Sequence, residues 1–247
     1  MARCDELESL QARQSQARAQ ALRVSLARLL DAPDATTSGA RWSSLSAHWH
    51  ELLDTPASVA PLRQTILGLA VRGQLVPQDQ ADEPTSHLLK QIAAEKARLV
   101  AEKKIKQSAP LPPVKADEMP FDLPKSWAWV RLGELGEFTG GGTPSKSNPD
   151  YWNGDVPWVS PKDMKVPIIE DSQDHISMKA VENSSVKIIK SPALLFVLRG
   201  MILAHSFPIA VTNTDVTINQ DMKALRICDE TLMPHLSLCF GGLKQEV

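Results

Sequence analysis

Two short patterns near position 145 are of the kind that serves methyl transfer. Residues 138–142 read FTGGG, which fits the FxGxG pattern of adenosylmethionine-binding loops, and residues 148–151 read NPDY, one residue away from the NPPY of adenine methyltransferases. A cofactor loop needs a strand before it and a helix after it, because the N–H groups of the helix N-terminus bind the ligand. Pro144 and Pro149 follow the glycines and oppose a helix. The two patterns also lie too close together for a methyltransferase, so we interpret both as chance matches.

A third pattern is of the kind that serves phosphodiester hydrolysis. Pro149 and Asp150, followed by Asp163 and Lys165, resemble the carboxylate–carboxylate–lysine set that holds Mg²⁺ and a water molecule in nucleases. Patterns this loose arise often by chance, and an ion pair between Asp163 and Lys162 or Lys165 is the simpler interpretation. A Mg²⁺-dependent nuclease built on Asp150, Asp163 and Lys165 stays an outside alternative.

The cysteines and histidines give no metal-binding pattern. Cys4, Cys228 and Cys239 are odd in number and lack a CxxC spacing, which predicts reduced, mostly buried thiols. His48 and His50 would point to different faces of one helix, and the histidines form no HExxH set. The sequence therefore predicts neither a metal site nor a cofactor.

The composition is that of a globular protein without a basic surplus. Hydrophobic residues make up 43% and charged residues 23% of the 247 residues, and the formal net charge is −2. A core can form, but composition alone does not indicate nucleic-acid binding. The apolar runs are too short to span a bilayer, and no signal-peptide pattern is present. We therefore expect a cytoplasmic protein.

The chain changes character near residues 108–120. Residues 1–107 contain only three glycines and show apolar residues at helical spacing, whereas residues 133–154 are rich in glycine. The stretch SAPLPPVKADEMP at 108–120 has four prolines and no periodicity, which is typical of a stiff linker. The sequence thus predicts a helical arm over 1–107, a Pro-rich linker over 108–120 and a second domain over 121–247.

Apolar stripes at helical spacing run through the arm. Residues 5–30 predict one helix with a seam suited to a partner helix, although a plain amphipathic helix stays open; the seam positions are Leu7, Leu10, Gln14, Ala17, Ala21 and Val24. Pro61 suits the first turn of a later helix and Gly73 its end. The other stripes are Trp42, Leu45, Trp49 and Leu52; Leu62, Ile66 and Leu69; and Leu88, Leu89, Ile92 and Leu99.

The second domain shows strand-like runs separated by turn residues. These runs are Trp127–Leu132, Val156–Ser160, Val186–Ile189, Leu194–Leu198, Ile209–Thr212 and Met222–Ile227. A final segment, Glu230–Phe240, is helical in character. The sequence therefore predicts an α+β fold in which a helical, coiled-coil-like arm precedes a mixed α/β domain with a mostly antiparallel or mixed sheet.

Three stretches together resemble the specificity (S) subunit of type I restriction-modification systems. They are residues 62–100, which begin LRQTILGLAVRGQL; residues 123–164, which begin LPKSWAWVRLGELGEF; and residues 198–225, which begin LRGMILAHSF. The stretches occur in the family's order and spacing, and the resemblance covers most of residues 45–240.

The resemblance implies a non-catalytic subunit whose target recognition domain, at roughly 120–240, reads one half of a split DNA site. The implied partners are double-stranded DNA, DNA methyltransferase (M) subunits and a restriction (R) subunit. The chain resembles the second half of an S subunit, cut short, so self-association of half-subunits is a further expectation. The alternative is a truncated helical assembly or regulatory fragment that binds a methyltransferase subunit, or itself, without contacting DNA.

Base reading requires side chains with paired donors and acceptors on loops that reach the major groove. The loop 139–154 offers such side chains between glycines, although the same loop could serve only as a turn. We interpret Trp127, Trp129 and Trp158 as core residues. The candidate DNA-binding residues are Thr143, Ser145, Lys146, Asn148, Lys162, Arg199, Asn213 and Gln220, and the candidate docking residues for a methyltransferase subunit are Leu62, Ile66, Leu69, Leu88, Ile92 and Leu99.

Overall fold

The chain folds into two compact units. The structure, a computed structural model, describes residues 2–79 and 81–243. The first unit is built mainly from residues up to Asp82, with Phe121–Pro124 and residues 241–243, and the second from Glu83–Pro120 and Lys125–Phe240. A helical N-terminal part followed by a mixed helix-and-sheet part confirms the predicted α+β class. None of the described helices combines the length and the apolar character that crossing a membrane requires.

The first unit is helical and has a leucine-rich core. Its helices are α1 (Ala2–Leu30), α2 (Ala35–Ala47), α3 (Trp49–Leu52) and α4 (Pro56–Val71). Asp34 caps α2, since its side chain accepts a hydrogen bond from the Thr37 N–H at 2.7 Å. The core contains Leu22, Leu26, Leu29, Leu45, Leu62 and Leu69, and Trp42, Trp49, Leu52 and Ile66 pack against it. The predicted stripes at 42–52 and 62–69 therefore contribute to this core.

Helix α1 buries a different face from its predicted seam. Leu22, Leu26 and Leu29 lie in the core, whereas all six seam positions are exposed. Leu7 and Leu10 are 60% and 54% exposed. The first unit does not use the seam for its own packing, and the contact of the seam with a partner helix stays a prediction.

Helix α4 begins earlier than the sequence indicated. Pro61 lies inside the helix, and Pro56 occupies the first turn instead, where a missing N–H leaves no hydrogen bond unmade. The predicted end at Gly73 is confirmed. This glycine has φ 66°, in the left-handed region, and the Gln74 N–H donates to the Leu69 carbonyl at 2.8 Å.

Residues 83–120 group with the second unit, although the sequence analysis placed residues 83–107 in the arm and residues 108–120 in the linker. Helix α5 (Thr85–Ala101) buries Ile92, which is 3% exposed, in a cluster with Leu194 and Phe196. The Pro-rich segment is bound by Arg131, whose guanidinium donates to the Pro112 and Pro113 carbonyls and pairs with Glu118 at 2.6 Å. The boundaries at 107/108 and 120/121 stay a prediction.

The second unit contains two sheets. The elements after α5 are α6 (Leu132–Leu135), β1 (Gly136–Gly140), β2 (Trp152–Val159), β3 (Ile168–Ile169), β4 (Asp174–Ile176), α7 (Met178–Glu182), β5 (Leu194–Val197), β6 (Ile209–Thr212), β7 (Thr217–Ile218), β8 (Met222–Ile227) and α8 (Met233–Leu243). One sheet has the order β1-β8-β5-β6-β3, antiparallel except for the parallel pair β3–β6. The other has the order β4-β2-β7, with β2 antiparallel to β4 and parallel to β7.

The larger sheet lies between two hydrophobic clusters. Successive side chains of β5 point to opposite faces. Leu195 and Val197 pack in one cluster with Val159 of β2 and Ile218 of β7, so the smaller sheet covers this face. Leu194 and Phe196 pack in the other with α5 and α8. Strand β5 is therefore buried on both faces, which explains its wholly apolar sequence LLFV.

Some predicted strands are absent or shorter in the structure. Trp127–Arg131 is irregular and Leu132 begins α6. The Ser126 carbonyl accepts hydrogen bonds from Thr85 at the start of α5, and the Trp127 ring packs edge-on against His235 at 5.4 Å. In Val186–Ile189 only Ile189 pairs, through an isolated bridge to Val216. The predicted strands at 194–198, 209–212 and 222–227 are confirmed within one residue.

The cysteines are less buried than the sequence indicated. Cys4 is exposed, and Cys228 and Cys239 are half-buried. All three are free thiols, as expected. Burial raises the pKa of the Cys228 and Cys239 thiols above the usual value. Over the described part of the chain, His, Cys, Asp and Glu side chains form no group of three able to hold a metal ion.

Candidate nucleic-acid interface

The glycine-rich loop lies against the segment that precedes β8. Strand β1 ends at Gly140, opposite Lys223 of β8, and the Gly142 N–H then donates to the Ile218 carbonyl at 2.9 Å. A Cβ on Gly141 would lie 1.9 Å from the Asn219 carbonyl oxygen, so a side chain cannot be accommodated there. The glycines thus allow the loop to approach the backbone of residues 218–219.

Two tryptophans of β2 hold this loop in place. The indole N–H of Trp158 donates to the Gly142 carbonyl at 2.9 Å, and that of Trp152 donates to the Ser145 carbonyl at 3.2 Å. The two rings contact each other edge to face, with centroids 5.2 Å apart. Trp158 is 6% exposed and lies in the core, as predicted. Trp152 is half-buried and presents part of its ring to solvent.

These contacts form one wall of a surface cleft of about 710 Å³. Four of the predicted DNA-binding residues line it, namely Thr143, Lys146, Lys162 and Gln220. Trp152, Trp158 and Asn219 contribute to the same cleft, and Asp174 is an acidic member. The structure thus brings together side chains that the sequence places on three separate segments.

Asp163 fixes the segment that carries Lys162. One carboxylate oxygen of Asp163 accepts hydrogen bonds from the Ser160 N–H at 2.8 Å and the Ser160 hydroxyl at 3.0 Å. The other oxygen accepts from the Gln173 N–H at 2.9 Å. Asp163 therefore stabilises a turn, and it makes no ion pair with Lys162 or Lys165 among the described contacts. The turn positions the exposed Lys162 at the cleft.

Asp150, the other carboxylate of the nuclease pattern, pairs with a different lysine. Its side chain accepts a hydrogen bond from Lys179 at 2.7 Å, and this contact lowers the pKa of the carboxyl below its usual value. The FTGGG residues are followed by an irregular loop and not by a helix. Both carboxylates of the nuclease pattern thus have structural partners, and the arrangement gives no support to a nuclease.

Gln220 and Arg199 are joined in one hydrogen-bonded arrangement beside the cleft. The Thr143 hydroxyl donates to the Gln220 side-chain oxygen. The Arg199 guanidinium donates to the Gln220 backbone carbonyl at 2.6 Å and lies 3.5 Å from the Asp221 carboxylate. Arg199 thus belongs with the cleft residues, although no sequence pattern indicated this contact.

The other three predicted DNA-binding residues, Ser145, Asn148 and Asn213, do not line the cleft. Ser145 is exposed and its hydroxyl contacts that of Ser147 at 2.7 Å. Asn148 caps the 3₁₀ turn Pro149–Tyr151, because its side chain accepts from the Asp150 N–H at 3.1 Å. Asn213 follows Thr212 of β6, at the end of the larger sheet where Leu194 of β5 begins, whereas the cleft lies at the other end.

None of the six predicted docking residues is exposed. Leu62 and Leu69 lie in the core of the first unit, with Ile66 half-buried against it. Ile92 lies in the core of the second unit. Leu88 and Leu99 are half-buried. Their assignment to a partner interface stays a prediction.

Comparisons with known proteins place this fold in a family. Residues 124–245 match the model of the type I restriction modification DNA specificity domain. The type I restriction enzyme EcoAI specificity subunit of Escherichia coli is 47% identical over 141 residues, which are 57% of this chain and 24% of that protein. The EcoEI specificity subunit of the same species is 43% identical over 155 residues, covering 60% of this chain and 26% of that protein.

A solved structure, the HsdS subunit from Thermoanaerobacter tengcongensis, is 18% identical, with a TM-score of 0.37 over 72% of this chain and 41% of that chain. This chain spans about a quarter of the length of the two E. coli relatives. The matched region contains the glycine-rich loop, the tryptophans of β2 and the whole cleft. Residues 124–245 therefore belong to the family of type I restriction modification DNA specificity domains, which agrees with the similarity of the chain to the specificity subunits of two restriction enzymes.

Proposed function

We propose that the second unit reads one element of DNA sequence through the cleft surface, as the non-catalytic recognition part of a type I restriction-modification assembly. The observation that carries this proposal is the convergence of Thr143, Lys146, Lys162 and Gln220 on one cleft. Hydroxyl and amide groups can read base edges, and lysines can contact phosphates or guanine. The relatives' names, which describe specificity subunits of restriction enzymes, support the same role.

The charge of the second unit indicates that this proposal needs other subunits to contact the DNA phosphates. Residues 121–247 contain twelve basic and fifteen acidic side chains, so this region attracts DNA phosphates only weakly. Other subunits must then provide much of the phosphate contact. We assign that role, together with methylation and cleavage, to methyltransferase and restriction subunits bound to this chain on double-stranded DNA, and we place the assembly in the cytoplasm.

Selection of duplexes from a randomised pool tests the proposal. The full chain is immobilised at low salt, and bound duplexes are sequenced over several rounds. We expect wild-type protein to enrich one short motif. The Thr143→Ala/Gln220→Ala pair should lose that motif, whereas Lys146→Gln/Lys162→Gln should lower the yield of all sequences about equally, because phosphate contacts carry little sequence information.

A matched control is Lys125→Gln/Lys187→Gln, which removes two exposed lysines of the same unit that lie outside the cleft. This control should keep both motif and yield. If wild-type protein enriches no motif, or if every variant enriches the same one, the cleft does not read DNA.

A second candidate function is helical assembly without DNA contact. The exposed seam of α1 favours it, because Leu7 and Leu10 present apolar side chains to solvent at coiled-coil spacing. Leu7→Asp/Leu10→Asp should abolish co-purification with a methyltransferase subunit and leave the melting temperature unchanged. Leu62→Asp, in the core, should lower the melting temperature. Retention of the methyltransferase by the seam variant would exclude this surface as the dock.

A further inference from the structure

The turn after β5 exposes an apolar side chain beside a fixed arginine. Met201 is 91% exposed, the highest value among the exposed large hydrophobic side chains of the described residues. Gly200 precedes it with φ 125°, a conformation that a residue with a side chain adopts only under strain. The backbone at this position therefore favours glycine. The turn leaves the Met201 side chain in solvent.

This turn adjoins the cleft. Strand β5 ends at Val197, opposite Met222 of β8, so residues 198–201 leave the sheet where residues 219–221 enter it. The Leu198 and Arg199 N–H groups both donate to the Asp221 carbonyl, at 2.8 and 3.2 Å. The turn and the Gln220 segment therefore form one hydrogen-bonded surface.

The contacts of Arg199 orient its guanidinium. The side chain is 67% exposed, yet Nε lies 3.5 Å from the Asp221 carboxylate, and one Nη2 N–H donates to the Gln220 carbonyl. A guanidinium has five N–H groups. The bond to Gln220 uses one N–H of Nη2, and the Asp221 carboxylate lies beside Nε, so N–H groups remain on both terminal nitrogens, which is the pair that a bidentate contact uses. Part of the side-chain entropy is already lost before a ligand binds.

We propose that the turn Arg199–Gly200–Met201 reads bases in the major groove, with Arg199 on a guanine and Met201 on the methyl group of a nearby thymine. Guanine offers O6 and N7 as paired acceptors to an arginine, and the thymine C5-methyl is the apolar group that the major groove presents. The two side chains flank a glycine, so they reach bases close to one another. This assignment rests on the proposed function and names the specificity-determining side chains within it.

The duplex selection described above tests the assignment with single variants. Arg199→Gln should lower the preference for guanine at one position of the motif by about tenfold, since a bidentate arginine contact discriminates at that level or better. Met201→Ala should relax a thymine preference near the same position by a few-fold. Neither variant should lower the melting temperature, because both side chains are exposed.

Two controls match these variants in chemistry. Arg226→Gln removes the same charge from an exposed position near the other end of β8, and Met178→Ala truncates a methionine that is 50% exposed on α7. Both should keep the wild-type motif. A wild-type motif that survives in Arg199→Gln and Met201→Ala overturns this inference and leaves the proposed function standing, whereas a wild-type chain that enriches no motif overturns both. Loss of a methyltransferase subunit by the turn variants with the motif retained would show a protein contact instead, and would equally overturn it.

Discussion

Among single residues, the two aspartates that a sequence pattern associated with catalysis have structural roles. Asp163 accepts three hydrogen bonds, from two groups of Ser160 and from the Gln173 N–H. Asp150 pairs with Lys179. A carboxylate that accepts several hydrogen bonds from its own fold stabilises that fold. The surroundings of a side chain, more than its type, decide its role.

Replacing Asp163 by alanine should destabilise the second unit. The change leaves the Ser160 and Gln173 donors without their acceptor, which costs about 1–3 kcal/mol of unfolding free energy. Urea denaturation measures this loss, and Asp155→Ala, at an exposed position of β2, is the control expected to change it little. Wild-type protein should not nick DNA in Mg²⁺, and nicking that disappears in Lys165→Ala, at an exposed lysine of the same pattern, would establish the nuclease after all.

The three thiols should differ in reactivity. Cys4 is exposed, whereas burial raises the pKa of Cys228 and Cys239 and so reduces the fraction of reactive thiolate. We expect a maleimide at neutral pH to label Cys4 first and the other two slowly. Mass spectrometry of native protein measures the order, with Cys4→Ser as the control that removes the fast phase. Rapid labelling of Cys239 in the folded protein would contradict this expectation.

At the scale of the element, the end of β1 shows how closely two segments are packed. Gly140 and Gly141 are adjacent, yet a Cβ on Gly140 meets nothing within 4 Å, while one on Gly141 overlaps the Asn219 carbonyl. The difference arises because Gly141 faces residues 218–219, which precede β8. Glycine is therefore required at position 141 for the contact between the two segments, whereas position 140 has room for a side chain.

The two glycines provide a paired test of this packing. Gly141→Ala should lower the unfolding free energy by about 1–3 kcal/mol, because the added methyl group forces the loop away from the Asn219 backbone. Gly140→Ala should change it by less than about 0.5 kcal/mol, since the position is open. Chemical denaturation followed by tryptophan fluorescence compares them. Equal effects of the two substitutions would show that the close approach at Gly141 is not formed.

Across the whole chain, the net negative charge argues against DNA binding that depends on electrostatic attraction to phosphates alone. The formal net charge is −2, and basic side chains at the cleft are few, with Lys146 and Lys162 accompanied by Asp174. Recognition in such a protein depends on contacts to bases and on other subunits that neutralise phosphates.

The chain alone should therefore bind DNA weakly. We expect a dissociation constant on the order of 10⁻⁴–10⁻⁶ M at physiological salt, rising steeply as salt is added, and a tighter complex when a cognate methyltransferase subunit is present. Fluorescence anisotropy over a salt series measures both effects, with the methyltransferase subunit alone as control. Nanomolar, sequence-selective binding by the isolated chain at physiological salt would contradict this account.

Elements with strong local periodicity could be predicted from the amino-acid sequence. The apolar stripes of α2, α3 and α4 and the strands β5, β6 and β8 were predicted because their apolar residues recur at helical or strand spacing, or fill a strand buried on both faces, whereas the buried leucines of α1 were not predicted. The glycine at the end of α4 was predicted from its residue type. A loop was also identified at 139–154, since glycines and polar side chains mark it locally, although residues 139–140 belong to β1 and residues 152–154 to β2.

Contacts between residues that are distant along the chain could not be predicted, because they depend on how the sheets assemble. Thr143 and Gln220 are joined by a hydrogen bond across 77 positions, and the contact depends on the pairing of β1 with β8 and of β2 with β7. The exposure of the α1 seam and of Met201, and the part of Trp152 in the cleft, likewise depend on what packs beside them. Local spacing specifies the face of an element, but the register between distant strands is set by the packing of the whole core.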